Sequence, residues 1–141
     1  MTKKIVAKIR MVLHATEDYQ KISGALYDMF GIEKDEMSLG KLSGHFGNPI
    51  LILSVEMKKK YAEGFLKKMI SVISKTQMTD IVENLEGRIN DTTLYLRFSK
   101  QKFVEKTLML EEKDPIRISI YTPVYVKKEL NFTYKKLLAG K

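Results

Sequence analysis

The chain has 141 residues, 44% hydrophobic and 30% charged, a composition that is globular rather than disordered and amounts to a single domain over 1–141. Its 25 Lys and Arg against 17 Asp and Glu give a net charge of +8, which favours an anionic partner such as nucleic acid, a membrane surface or an acidic protein. With no cysteine, no apolar run longer than Ile50-Leu51-Ile52-Leu53 and no apolar core behind Met1-Thr2-Lys3-Lys4, the sequence excludes disulfides, thiolate catalysis and Cys-based zinc sites, and reads as cytoplasmic, without membrane span or signal peptide.

Hydrophobic periodicity switches along the chain between two and about 3.6. Residues 5–14 alternate, with Ile5, Ala7, Ile9, Met11 and Leu13 on one side and Lys8, Arg10 and His14 on the other, which predicts a strand with one buried and one basic face. Thr16 is the expected N-cap of a helix with Glu17 and Asp18 in its first turn, an apolar stripe of Tyr19, Ile22, Leu26, Met29 and Phe30, and a stop at Gly31. Residues 37–43 form a short second strand. Gly44-His45-Phe46-Gly47-Asn48-Pro49 reads as a turn in which at least one glycine takes a positive φ. A third strand spans 50–58, and a helix over 59–74 follows, with Tyr61, Phe65, Leu66, Met69, Ile70 and Ile73 as its stripe. A shorter helix runs through Met78, Ile81, Val82 and Leu85 to a stop near Gly87.

Leu94, Leu96 and Phe98 alternate with Tyr95 and Arg97 in a fourth strand. Residues 100–106 form one or two helical turns and 107–110 a strand; after Pro115, Ile116, Ile118 and Ile120 alternate with Arg117, Ser119 and Tyr121. Beyond Pro123 a last helix carries Val126, Leu130, Tyr134 and Leu137. The order βαββααβ(α)ββα predicts an α+β fold of two layers, with helices on one face of a mixed or mostly antiparallel sheet.

No catalytic motif appears, and no metal or other cofactor is expected. The only histidines, His14 and His45, lack HxxxH or HExxH spacing, and 44–47 lacks the Lys-Ser/Thr ending of a P-loop. Glu17 and Asp18 beside His14 have a sufficient reason to be there in the helix dipole. An enzyme acting on a phosphodiester would need a convergent His/acid cluster that this spacing alone does not supply. Lys58-Lys59-Lys60, Lys67-Lys68, Lys127-Lys128 and Lys135-Lys136 lie opposite the apolar stripes as solvated helix faces.

The constellation left over is the polar side of three strands: Lys8, Arg10 and His14, then Tyr95 and Arg97, then Arg117, Ser119 and Tyr121. In one sheet these would present guanidinium groups for phosphates and tyrosine rings for bases. Arg and Tyr equally suit a protein interface, so docking of a partner or a homodimer through the same face remains the alternative.

Four ordered motifs carry a resemblance over nearly the whole chain: His14-Ala15-Thr16-Glu17-Asp18, Gly44-His45-Phe46-Gly47-Asn48-Pro49-Ile50, Leu94-Tyr95-Leu96-Arg97-Phe98-Ser99-Lys100-Gln101 and Asp114-Pro115-Ile116-Arg117-Ile118. Together they resemble an archaeal family described as RNA-binding, exosome-associated subunits. The resemblance implies a non-enzymatic RNA-binding protein, with RNA and exosome or ribosome-biogenesis proteins as partners. It adds His14, His45, Gly47, Asn48, Lys100 and Gln101 as candidate contacts. A double-stranded-RNA-binding domain begins with a helix and is about half this length, so the element order looks more like the fold of the ribosomal protein that binds 5S RNA.

Overall fold

The computed structural model describes residues 4–43 and 49–140. Strands β1 (Val6–Leu13), β2 (Ser38–Ser43), β3 (Pro49–Lys58), β4 (Ile89–Asn90), β5 (Thr93–Phe98) and β6 (Ile116–Tyr121) form one sheet in the order β2-β3-β1-β6-β5-β4. Every neighbouring pair is antiparallel. The helices are α1 (Tyr19–Phe30), α2 (Lys60–Val72), α3 (Lys75–Glu83), α4 (Leu85–Arg88), α5 (Lys100–Val104) and α6 (Leu130–Leu138).

The expected alternation places the core. Ala7, Ile9, Met11 and Leu13 are buried with Leu53, Val55 and Met57, Leu94, Leu96 and Phe98, and Ile116, Ile118 and Ile120, all on one side of the sheet. Each helix adds to the same cluster: Ile22 and Leu26 from α1, Phe65 and Met69 from α2, Ile81, Leu85 and Phe103 from the short helices, and Tyr134 and Leu138 from α6. Phe30 meets Phe65 at 4.7 Å and Phe103 at 6.2 Å between ring centroids, tying three helices together. The fold is therefore α+β with helices on one face, as the alternation predicts, and the other face of the sheet is left open.

Several local expectations are corrected. Asp18, not Thr16, caps α1: its carboxylate accepts from the N–H groups of Gln20 (2.9 Å) and Lys21 (3.4 Å), so Glu17 and Asp18 precede the first turn. Gly31 does end the helix, at φ 69°. Tyr61 is 77% exposed, because Ala62, Phe65, Leu66 and Met69 set the phase of α2's buried stripe and Tyr61 falls one step outside it. The helix expected through Leu85 divides at Asn84 into α3 and α4, and β4, absent from the expected order, follows. Val126 lies before α6 and is exposed.

The expected strand at 107–110 is reduced to a single bridge between Phe98 and Leu110. The Gln77 side chain takes the place of a strand there, donating to the Leu108 carbonyl and accepting from the Leu110 N–H, both at 2.7 Å. The turn at 44–48, with its expected positive-φ glycine, lies outside the described residues. Among the described residues no helix is long and apolar enough to cross a membrane.

Tyr134 locks α6 onto the sheet. Its buried hydroxyl donates to the Thr92 carbonyl, lies 3.0 Å from the Ile120 carbonyl and accepts from the Thr122 N–H at 3.3 Å. Burial pushes its pKa up to about 12. Tyr134→Phe keeps the ring but strands these backbone groups, and is expected to lower the unfolding free energy by about 1–2 kcal/mol in a urea titration.

Candidate nucleic-acid interface

Strand register decides what the open face offers. Arg10 stands directly opposite Arg117, and Arg117 directly opposite Arg97, so three guanidinium groups form a row across β1, β6 and β5. Directly opposed side chains in a sheet have Cβ atoms about 5 Å apart, and like charges so placed destabilise it. Arg97 has a partial partner, Glu112, at 3.8 Å. Among the described residues Arg10 and Arg117 have no carboxylate within ion-pair distance. Both are exposed, and neither contributes to the core. The row costs stability and invites an anion.

The next row toward the other end of the strands reads Glu56, Lys8, Ser119, Tyr95, and the one beyond it Lys58, Val6, Tyr121, Thr93. Together these side chains border a concavity of about 530 Å³, with Arg10 and Arg117 at one end. Glu56 is bound by Lys8 at 3.3 Å and Lys58 at 3.5 Å. The Lys8 contact, with Lys58 behind it, outweighs desolvation and holds the Glu56 carboxyl below its ordinary range, so the acidic group is ionised and matched by two cations. Tyr95 is half-buried and Tyr121 exposed at 38%.

Seven expected site residues therefore meet on one surface: Lys8, Arg10, Tyr95, Arg97, Ser119, Arg117 and Tyr121. His45 and Asn48 lie outside the described residues. His14 and Lys100 belong to a neighbouring group. A recess of about 250 Å³, lined by Arg10, Arg117, Glu112 and Asp114 among others, runs beside it.

Lys100, expected to be offered to a partner, is instead buried at 7% exposure with its charge engaged. Its Nζ donates to the Val12 carbonyl (2.6 Å) and lies 2.9 Å from both Glu17 Oε1 and Asp114 Oδ2. His14 Nε2 reaches the same Asp114 oxygen at 3.2 Å, and the backbone N–H of His14 donates to Glu17 Oε1 at 2.9 Å. The freed Glu17 of the α1 entrance thus has a function: it helps hold a buried cation. The fold supplies here the His/acid convergence that spacing did not reveal, with ligand atoms of His14, Glu17 and Asp114 within 4.8 Å of one another. The ammonium sits where a metal would, so the group reads as an ion-pair network pinning β1, α1, α5 and the turn before β6. The available signal was that all four residues lie in the resemblance motifs.

Burial pushes the Asp114 carboxyl up, but the Lys100 ammonium and then His14 outweigh it and hold it below the usual aspartate range. A depressed folded-state pKa adds stability that is present above the unfolded value, about 3.9, and is lost as pH falls through the folded one. Unfolding free energy should therefore decline on acidification below about pH 4, and Asp114→Asn should flatten that part of the profile in pH-dependent denaturant titrations.

A family model described as RNA binding matches residues 6–122. RNA-binding protein PAB1135 of Pyrococcus abyssi is 35% identical over 130 residues, covering 86% of this chain and 84% of that protein. The solved structure of protein SSO0741 from Sulfolobus solfataricus is 29% identical with a TM-score of 0.79, over 95% of this chain and 97% of its own. Mth689 from Methanothermobacter thermautotrophicus, a DUF54 protein, has a TM-score of 0.72 over 98% of this chain and 99% of its own; at 22% identity it shares the fold.

Proposed function

The chain belongs to the RNA-binding family, and from that premise we propose that it binds RNA through the open face of its sheet. The observation that carries this reading is the row of Arg10, Arg117 and Arg97. Three like charges held in register are a cost to the folded chain alone and an asset once a phosphate lies across them. Lys8 adds to the field from the next row, while Tyr95 and Tyr121 offer rings against which bases can stack.

In this reading the protein acts by binding rather than by catalysis, which is supported by the pairing of both carboxylates of the His/acid group beside the face with Lys100. As the setting we propose the cytoplasm and the archaeal exosome or ribosomal RNA maturation, supported by the four ordered motifs and by a layer of helices over one side of a sheet, as in the ribosomal protein that binds 5S RNA. A protein docking on the same face would need acidic groups where it meets the arginine row, and a two-fold contact of this chain with itself would have to bring Glu56 or Glu112 there.

The test is a salt titration of binding to generic structured and unstructured RNA followed by fluorescence anisotropy. Binding should be measurable at low salt, with log K falling linearly as log salt rises. Absence of binding to either RNA at low salt would remove the reading.

A further inference from the structure

Resting on that reading, the geometry points to an unpaired nucleotide as the unit that the sheet face recognises: we propose that the concavity between β3, β1, β6 and β5 receives one splayed-out base of single-stranded RNA, with its phosphate on the arginine row.

Three features of the face favour a single strand. The concavity, about 530 Å³, lies within the range of small-ligand sites, roughly 300–1,000 Å³, whereas a duplex keeps its bases stacked inside and offers no single base to enter it. The lining is also graded. Arg10 and Arg117 stand at one end, Ser119 and Tyr95 share the middle row with the Lys8–Glu56 pair, and Tyr121, Thr93 and Val6 lie at the far end with Lys58 on the β3 side, so along β6 and β5 the order runs from phosphate-binding to aromatic. Outward positions along a strand are about 6.8 Å apart, twice the rise per residue, so the Tyr95 row lies one nucleotide's reach from the arginine row. Third, the guanidinium groups are concentrated rather than spread. Three residues on adjacent strands span only about 10 Å, enough to hold one or two phosphates and too little to follow the backbones of a helix.

Glu56 does not oppose this. It is the only carboxylate in the lining, and its charge is matched by Lys8 and Lys58.

The experiment compares three probes in anisotropy titrations at fixed salt: an unstructured 12-nucleotide RNA, a blunt duplex of the same length, and adenosine monophosphate as competitor. The single strand should bind at least about tenfold more tightly than the duplex, and the mononucleotide should displace it. Tyr95→Ala and Tyr121→Ala should each weaken single-strand binding by roughly five- to a hundredfold and leave duplex binding and the salt slope unchanged. Tyr95→Phe and Tyr121→Phe, which keep the ring, should bind like the parent, and that rescue separates stacking from any damage to the fold. Equal affinity for strand and duplex, with the alanine variants unaffected, overturns the nucleotide pocket while leaving RNA binding by the face intact. Failure of every RNA probe at low salt overturns both.

Discussion

Lys100→Met is expected to lower the unfolding free energy by about 2–3 kcal/mol, although the residue is a lysine and the substitute fits an apolar site. Lys100 is 7% exposed, and its Nζ serves Val12, Glu17 and Asp114 at once. Removing the cation leaves two carboxylates drawn to a common point and a backbone carbonyl without its donor. Fully buried pairs broken in this way cost about 3–5 kcal/mol; solvent reaches Asp114 and, less, Glu17, which discounts the value here. A denaturant titration reads the effect as a lower midpoint at unchanged slope. A loss below about 0.5 kcal/mol would mean that the network is decorative. The double variant Lys100→Met with Asp114→Asn should lose less than the sum of the two single changes, because the second removes a charge that the first left unmatched.

The replacement of Arg10, Arg97 and Arg117 together by glutamine should reduce the slope of log K against log salt by about 0.7–1.4 for single-stranded RNA, or about 0.9–1.8 for a duplex, at 0.7 or 0.9 for each of the one or two phosphates the row holds. Extrapolated from 1 M, where counterion release contributes nothing, that slope amounts to a roughly five- to 25-fold loss of affinity for single-stranded RNA at 0.1 M salt. Stability should move the other way or not at all. None of the three lies in the core, and dispersing a like-charge row relieves repulsion, so each change stays within about 0.5 kcal/mol. Lost binding with undiminished stability marks a surface kept for a partner. If the triple variant binds RNA as tightly as the parent at every salt concentration, the lysine-bearing helices become the next surface to test. If it instead shifts sedimentation toward smaller species, the face is a contact between copies of the chain.

What could be read from the residues follows the range of the interactions. Alternation in 5–14, 94–98 and 116–121 is a property of consecutive side chains, so the buried and open faces of β1, β5 and β6 were visible in the sequence, and with them seven residues of the candidate interface. The alignment of Arg10, Arg117 and Arg97 in one row was not, because it depends on β1 pairing with β6 and on a register that no local pattern encodes. The Lys100 group was hidden for the same reason, its members coming from positions 14, 17, 100 and 114. Where local reading erred, two signals competed. Thr16 and Asp18 are both good caps, and the choice fell to Asp18 while Glu17 was claimed by a distant lysine. The segment 107–110 looked extended and is, but Gln77 takes up its backbone groups where a partner strand was expected.

The place of β1 has a consequence for how the protein is made. The first of the six described strands to be made is central in the sheet: β3 covers one edge, and the other must wait for β6, with Arg10 meeting a residue made more than a hundred positions later. From the end of α2 at Val72 to the end of β6 at Tyr121 is 49 residues, roughly 2–10 s at 5–20 residues per second, during which a nascent chain with β1, β2, β3, α1 and α2 exposes an apolar face and an unpaired edge. Such an intermediate is a natural client for a chaperone. The row of Arg10, Arg117 and Arg97 is also assembled late, because Arg117 is made only after β1 and β5 are complete.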